Sequence, residues 1–468
     1  MVQLPRFLVL AFPVQGCINP SLNLAKTLTR LVPGAQVTFV TSVHAHRLMT
    51  MNKGSSSSGY DSVSFAPFSD GFDDNFTPVN GERHLEEFRR RGWQAVGEIL
   101  ESGRKEGRPY TCLVYTFLLS WAADLAAEHN VPAAMFWMQP ATVFNIYYYY
   151  FHGHREIVRD NSKNPSFSLS FPGVPLAITI KDLPSFMDES TANTYFIRFY
   201  QEMFEDLEKE NTNTKIVLAN TFDELEPEAI RATGKLNLIG IGPLVPADQA
   251  ENKSLFQGDL FKESSRDYID WLNTKPKTTV VYVSFGSISV LSKQQMEEMA
   301  KALLEFGRPF LWVIREKSDQ GDDEEDDELS CREELEKLGM IVPWCSQMEV
   351  LSNESIGCFV SHCGWNSTLE SLASGVPVVG FPQWVEQGTN AKLIEEMWKT
   401  GVRLKPNDED GIVKSEEIKR CLELVLLGGK ENGVEIVKNA KKWQNLVKEA
   451  TREGGSSKKN FMAFLKTL

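Results

Sequence analysis

The 468-residue chain has no run of about 18 uncharged apolar residues, the length a bilayer-crossing helix needs. Its first apolar run, residues 7–12, is too short for a secretory signal or an anchor, so neither is expected. Positive charge is in deficit. Lys and Arg number 49 against 63 Asp and Glu, for a net charge of −14. That sign repels phosphate backbones and anionic lipid surfaces, which disfavours nucleic acid and membranes as partners. Paired cysteine spacing is missing too. The seven cysteines are Cys17, Cys112, Cys331, Cys345, Cys358, Cys363 and Cys421, an odd and scattered set that predicts free core thiols. Cys358, His362 and Cys363 cluster without a zinc spacing. No Gly-x-Gly-x-x-Gly follows the first strand, which argues against a dinucleotide-dependent dehydrogenase. These absences leave a cytoplasmic, monomeric protein with no cofactor as the expectation.

What is present reads as a repeating strand–helix pattern. Apolar residues at 42% and charged residues at 24% suit a globular chain, and the length suits two or three domains. Residues 7–12 form a fully buried strand, 13–20 a Gly/Pro loop, 21–31 an amphipathic helix and 36–42 the next strand. Strand-like runs recur at 112–115, 133–137 and 216–220. The segment 239–246 breaks the rhythm, and the polar stretch 247–265 reads as a linker. A second series follows, with strands at 279–287, 309–314, 357–361 and 376–381 and a helix at 294–306. Two such series imply two doubly wound, parallel-sheet α/β domains. The serine tip at 55–58 and the acidic run 322–328 read as solvated loops.

The chemistry concentrates in residues 344–387, WCSQMEVLSNESIGCFVSHCGWNSTLESLASGVPVVGFPQWVEQ. A buried strand runs into His362-Cys363-Gly364-Trp365-Asn366-Ser367 and then a helix. Gly364 permits close backbone approach, the helix N-terminus offers free N–H groups, and His362, Asn366 and Ser367 add donors, a set suited to a diphosphate. Glu370 can accept from a ribose diol, and Trp344 can stack on a base with Gln347 nearby. Glu386 and Gln387 suit sugar hydroxyls. Each piece alone has an ordinary alternative: core packing for Trp344 and Trp384, and a generic strand–turn–helix for the rest.

Taken whole, this segment resembles the signature box of plant family 1 UDP-glycosyltransferases. The resemblance extends through FPVQGCINPSLNLAKTL near the N-terminus, SDGFDD at 69–74, YVSFGS at 282–287 and EGGSS at 453–457. It implies the GT-B architecture of two facing Rossmann-like domains. Residues 1–246 would bind the acceptor, 247–265 would link, 266–450 would bind the UDP-sugar, and 451–468 would be a helix returning to the first domain. It further implies that Trp344 stacks on the uracil, that Gln347 and Glu370 hold the ribose, and that Cys345 belongs to the same donor site. His362, Gly364, Asn366, Ser367 and Ser287 would hold the diphosphate, and Trp365, Glu386 and Gln387 the sugar. A terminal glutamine, as at Gln387, accompanies glucose, so UDP-glucose is the implied donor, without a metal. Glu386 stands where relatives usually have aspartate.

One site departs from the resemblance. The family carries Gln-Gly-His in its first loop, the histidine acting as general base, with an aspartate near position 116 to orient it. Here the corresponding residues are Gln15-Gly16-Cys17 and Thr116. Three readings stay open: an acceptor ionised without help, such as a carboxylic acid or phenol of a plant small molecule; a His enzyme disabled by substitution; or a donor-binding protein with little turnover. His152 and His154 read as surface residues and not as a relocated base. The expected reaction is a single inverting displacement.

Overall fold

The computed structural model describes residues 4–51, 63–74, 81–188, 194–209, 215–245, 267–315, 329–427 and 431–468. The proposed linker 247–265, the serine tip and the acidic run lie outside these residues.

Two compact units form. The first comprises residues 1–181, 186–261 and 449–468, and the second residues 182–185 and 262–448. A strictly linear reading of residues 1–246 as one domain therefore misplaces Asp182–Ser185, which pack inside the second unit.

In the first unit, β1 (Arg6–Leu10), β2 (Gln36–Val40), β3 (Val63–Phe65), β4 (Cys112–Thr116) and β5 (Ala133–Trp137) are parallel. The minor pair β6 (Ser168–Leu169) and β7 (Ile178–Thr179) is antiparallel. With β8 (Ile216–Ala219) and β9 (Asn237–Gly240) the main sheet takes the order β3-β2-β1-β4-β5-β8-β9. Every residue of β4 and β5 is buried, the signature of strands covered by helices on both faces. The helix Ala141–Tyr149 starts after Pro140, which has no side-chain hydroxyl or carboxylate to cap it. Glu226, 84 residues on, does so instead, accepting from the Ala141 and Thr142 amides at 3.0 and 2.9 Å.

The second unit holds β10 (Val280–Ser284), β11 (Phe310–Val313), β12 (Met340–Val342), β13 (Ile356–Ser361), β14 (Val378–Gly380) and β15 (Gly401–Arg403). They form a parallel sheet of order β12-β11-β10-β13-β14-β15. Val281 and Val283 of β10 enter one core cluster and Val280 and Tyr282 the other, so both faces are covered.

The expected loop at 13–20 is corrected. The first helix begins at Gln15 and runs to Leu31 with Pro20 inside it. Pro20 lies past the first turn and costs the helix a backbone bond, but the buried face Ile18, Leu22, Leu24, Ala25 and Leu28 outweighs that loss. Cys17 therefore sits in the first helical turn.

The chain's end also follows helical rules. Ser457 Oγ donates to the Gly242 carbonyl, and Asn460 Nδ2 donates to Asp223 Oδ1 at 2.8 Å, all within the first unit. Among the described residues no helix is long and apolar enough to cross a membrane.

Candidate active site

Open parallel sheets bind ligands beyond the carboxyl ends of the strands where the strand order reverses direction. In the second unit that point lies between β10 and β13. β10 runs into Phe285, Gly286 and Ser287. β13 runs into His362, Cys363 and Gly364, the last being the N-cap of the helix Trp365–Ser374.

Two glycines clasp the His362 imidazole. A methyl group on Gly364 would come 2.5 Å from His362 Nε2, and one on Gly286 2.7 Å from both Cε1 and Nε2. Gly286 also has φ +72°, where side chains are disfavoured. Burial pushes the imidazole down to about 4, so it is neutral at pH 7 and presents a hydrogen-bond dipole there. Cys363 holds φ +62° because its N–H reaches Ser361 Oγ at 3.1 Å and its carbonyl accepts from Asn390 Nδ2 at 2.8 Å.

Gln347 and Glu370, the residues expected at the ribose, meet in one network. Gln347 Nε2 donates to Ser367 Oγ at 2.7 Å and to Glu370 Oε2 at 2.5 Å, while Tyr282 OH donates to Gln347 Oε1 at 3.3 Å. Trp344 is half-buried, leaving indole surface in reach of a ligand. Cys345 differs. Its side chain is buried against Tyr282 OH at 3.5 Å, so only its backbone can serve a donor. Ser367 is buried and Asn366 half-buried on the first helical turn.

Trp365 likewise contributes backbone, not ring: its indole is buried 6.0 Å from that of Trp398. Its amide bonds to Glu386, which is buried and whose carboxyl burial pushes up to about 7. Asn390 Nδ2 also approaches Glu386 Oε1, at 3.4 Å. Gln387 folds back over its own loop, its Oε1 accepting from the Gln383 and Trp384 amides at 2.8 and 3.2 Å. Trp384 remains 37% exposed.

Several residues escaped the sequence reading. Asn390 ties the 362–364 turn to Glu386 through one carboxamide. Arg315 donates to the carbonyls of Ser287 and of Ser289, the latter at 2.8 Å, and so shapes the loop after β10. Arginine beyond a strand end was the available signal for the second; no local pattern marks the first.

In the first unit the order reverses between β1 and β4, which places Cys17 and Thr116 at the corresponding position. Thr116 is buried and its Oγ1 accepts from the Phe12 amide at 3.2 Å, bracing the chain before Cys17. Cys17 is only 5% exposed, and burial pushes its thiol up to about 12 despite the helix N-terminus around it. Neither residue can accept a proton at neutral pH. His84 Nε2 lies 2.8 Å from Asp70 Oδ2, and this buried pair packs on Phe12 with ring centres 5.4 Å apart. It stiffens the end of β1 and is closed off from solvent. His152 is tied to Tyr148 O at 2.6 Å and Glu208 Oε2 at 3.1 Å, and His154 to Tyr149 O at 3.1 Å.

Known proteins match this arrangement. The family model of UDP-glucoronosyl and UDP-glucosyl transferases matches residues 243–438. The phloretin 4'-O-glucosyltransferase of Malus domestica is 55% identical, covering 98% of this chain and 97% of that enzyme. The chloroplastic crocetin glucosyltransferase of Gardenia jasminoides is 50% identical, covering 99% and 98%. Among solved structures, Os79 from O. sativa in complex with UDP superposes with a TM-score of 0.83 at 32% identity, over 98% of this chain and 99% of that one. With relatives this similar along its whole length, the chain belongs to the plant family 1 UDP-glycosyltransferases, enzymes of the GT-B fold.

Proposed function

We propose that this enzyme moves glucose from UDP-glucose, with inversion, onto an acceptor oxygen that is ionised or readily ionised at neutral pH, a carboxylate or phenol of a plant small molecule. The single observation that carries this reading is the buried, protonated Cys17 at the position where a proton acceptor would be needed for an unactivated hydroxyl. A carboxyl group is ionised at pH 7 and needs no such help. Two relatives named for phloretin and crocetin are compatible with that acceptor range.

In this reading the first unit binds the acceptor and the second the donor. Trp344 stacks on uracil, with the Cys345 backbone beside it. Gln347 and Glu370 hold the ribose. His362, Gly364, Asn366, Ser367 and Ser287 hold the diphosphate, where the helix N-terminus favours the charge that gathers on departing UDP. Glu386, set in place by the Trp365 amide, and Gln387 hold glucose.

The test is UDP release across paired carboxylic, phenolic and aliphatic alcohol acceptors between pH 5.5 and 9. The expected kcat/KM follows the ionised fraction of each acceptor, with the alcohols slower by about 10²-fold or more. An aliphatic alcohol turned over as fast as a phenol at pH 7 overturns the proposal. So does UDP binding without turnover of any acceptor.

Glu386 gives a second check. Its ionised form is lost as pH falls through about 7. If that form grips the sugar, KM for UDP-glucose rises below pH 7, and Glu386→Gln has a raised KM at every pH with no such slope. The sign for stability is opposite. A carboxyl raised in the folded state opposes folding once it ionises, so stability falls as pH rises from the unfolded value towards 7 and stays reduced above it. Glu386→Gln is therefore expected to be more stable at pH 8, by up to roughly 3 kcal/mol, read as a higher Tm.

A further inference from the structure

The residue before Glu386 has an unusual backbone. Val385 sits at φ +57°, a region that β-branched residues rarely occupy and that is kept only where neighbours over-determine it. What holds it comes from 200 residues earlier in the chain. The Ser185 amide donates to the Val385 carbonyl at 2.8 Å, and the Val385 amide donates to Ser185 Oγ at 2.7 Å. Both backbone groups of one strained residue are thus engaged by a single serine.

The grip continues past the loop. Thr389 Oγ1 donates to the Asp182 carbonyl at 2.6 Å. The Asp182 carboxylate, itself buried, pairs with Arg403 at the end of β15 and lies 3.7 Å from Lys392 Nζ. Lys392 in turn reaches Glu396 Oε1 at 2.6 Å. Asp182–Ser185 therefore seizes the chain immediately before and shortly after Glu386 and Gln387, and is itself anchored by buried charge. The nucleoside network of Gln347, Ser367, Glu370 and Tyr282 has no hydrogen bond to this segment among the bonds described above.

We propose that Ser185 and Asp182 are positioning residues for the donor sugar, holding the loop of Glu386 and Gln387 at the place where it discriminates one hexose from another. The inference rests on the reading of that loop as the sugar seat. Its physical basis is leverage. If Val385 relaxes to an ordinary negative φ, the following two side chains swing, and a misplacement of about 1 Å at a reacting group costs about 10²-fold in rate. The contacts to UDP lie elsewhere and do not move with it.

The experiment uses the full chain with Ser185→Ala, Ser185→Thr and Asp182→Asn. Loss of the serine hydroxyl strands the Val385 amide, and KM for UDP-glucose is expected to rise about tenfold. Kd for UDP stays within about twofold, and the preference for UDP-glucose over UDP-galactose in kcat/KM falls by a similar factor. Ser185→Thr keeps the hydroxyl and stays near wild type. Adding Val385→Gly to Ser185→Ala restores most of the lost discrimination, because glycine occupies φ +57° without strain. Equal weakening of UDP and UDP-glucose overturns the inference, as does a lowered Tm with unchanged sugar preference. Glu386→Gln and Gln387→Ala serve as controls. If they raise KM for UDP-glucose while Ser185→Ala does nothing, the inference alone fails. If they leave KM and sugar preference unchanged, the sugar-seat reading fails and takes the inference with it.

Discussion

Replacing Cys17 by histidine is expected to raise kcat with neutral alcohol and weakly acidic phenol acceptors by about 10²-fold or more. With a thiol held at about 12, roughly one molecule in 10⁵ carries thiolate at pH 7. That is too few for a proton acceptor. Histidine has an ordinary value near ~6.5, so its neutral form is abundant at pH 7. General-base help of this kind is typically worth about 10²–10⁴ in rate. The lower end applies here, because Thr116 gives its Oγ1 to the Phe12 amide and offers no carboxylate to orient an imidazole. Adding Thr116→Asp to Cys17→His is expected to move the gain upwards within that range. Carboxylate acceptors provide the control, since they need no deprotonation and should change less than about threefold. Steady-state rates on both acceptor classes decide the matter, with a new acid limb near ~6.5 in the variant's pH profile. If the variant stays flat with alcohols, position 17 does not face the acceptor oxygen.

Gly364→Ala is expected to weaken UDP binding by more than about 10²-fold, measured by calorimetry. Its new methyl would stand 2.5 Å from His362 Nε2, a distance the structure can relieve only by turning the imidazole away or shifting the helix start. Either movement disturbs the donors proposed to hold the diphosphate. Gly286→Ala meets the same ring from the other side at 2.7 Å and adds the strain of a side chain at φ +72°, so an equal or larger loss is expected. His362→Ala removes one donor but leaves the backbone turn intact, and should cost less than either glycine variant. A change below about threefold in Gly364→Ala shows that the imidazole can yield without disturbing the phosphates.

Much of the architecture was legible because parallel strands buried on both faces are uninterrupted apolar runs. β1, β4, β5, β10 and β13 all read this way, and each is fully or almost fully buried. The residues proposed to hold the donor stand out for a different reason: apart from Ser287 they lie in 344–387, a contiguous stretch whose strand, turn and helix bring its members together without long-range information. What stayed hidden falls into two kinds. One is which atoms of a residue face the ligand. Trp365 and Cys345 stand in the segment, yet their side chains are buried, and the Trp365 amide is taken by Glu386. The other is partnership across long chain separations. Ser185 meets Val385 and Glu226 caps the helix after Pro140, pairings that no local periodicity encodes. Pro20 obscured the start of the first helix because local pattern reads proline as loop, whereas burial of the neighbouring apolar face outweighs its missing N–H.

In the proposed donor site, a neutral imidazole at the diphosphate has a consequence for timing. A fixed cation would grip the intact donor and the departing UDP alike, lowering the energy of every state it touched. An N–H dipole clasped between Gly286 and Gly364 interacts weakly with charge that is already spread and solvated, and more strongly as charge accumulates on the bridging oxygen during bond cleavage. Its help therefore arrives late along the reaction coordinate. Under the same reading, a side chain that burial has stripped of its proton grips spent UDP less than a cation would, which favours its release at the end of the cycle.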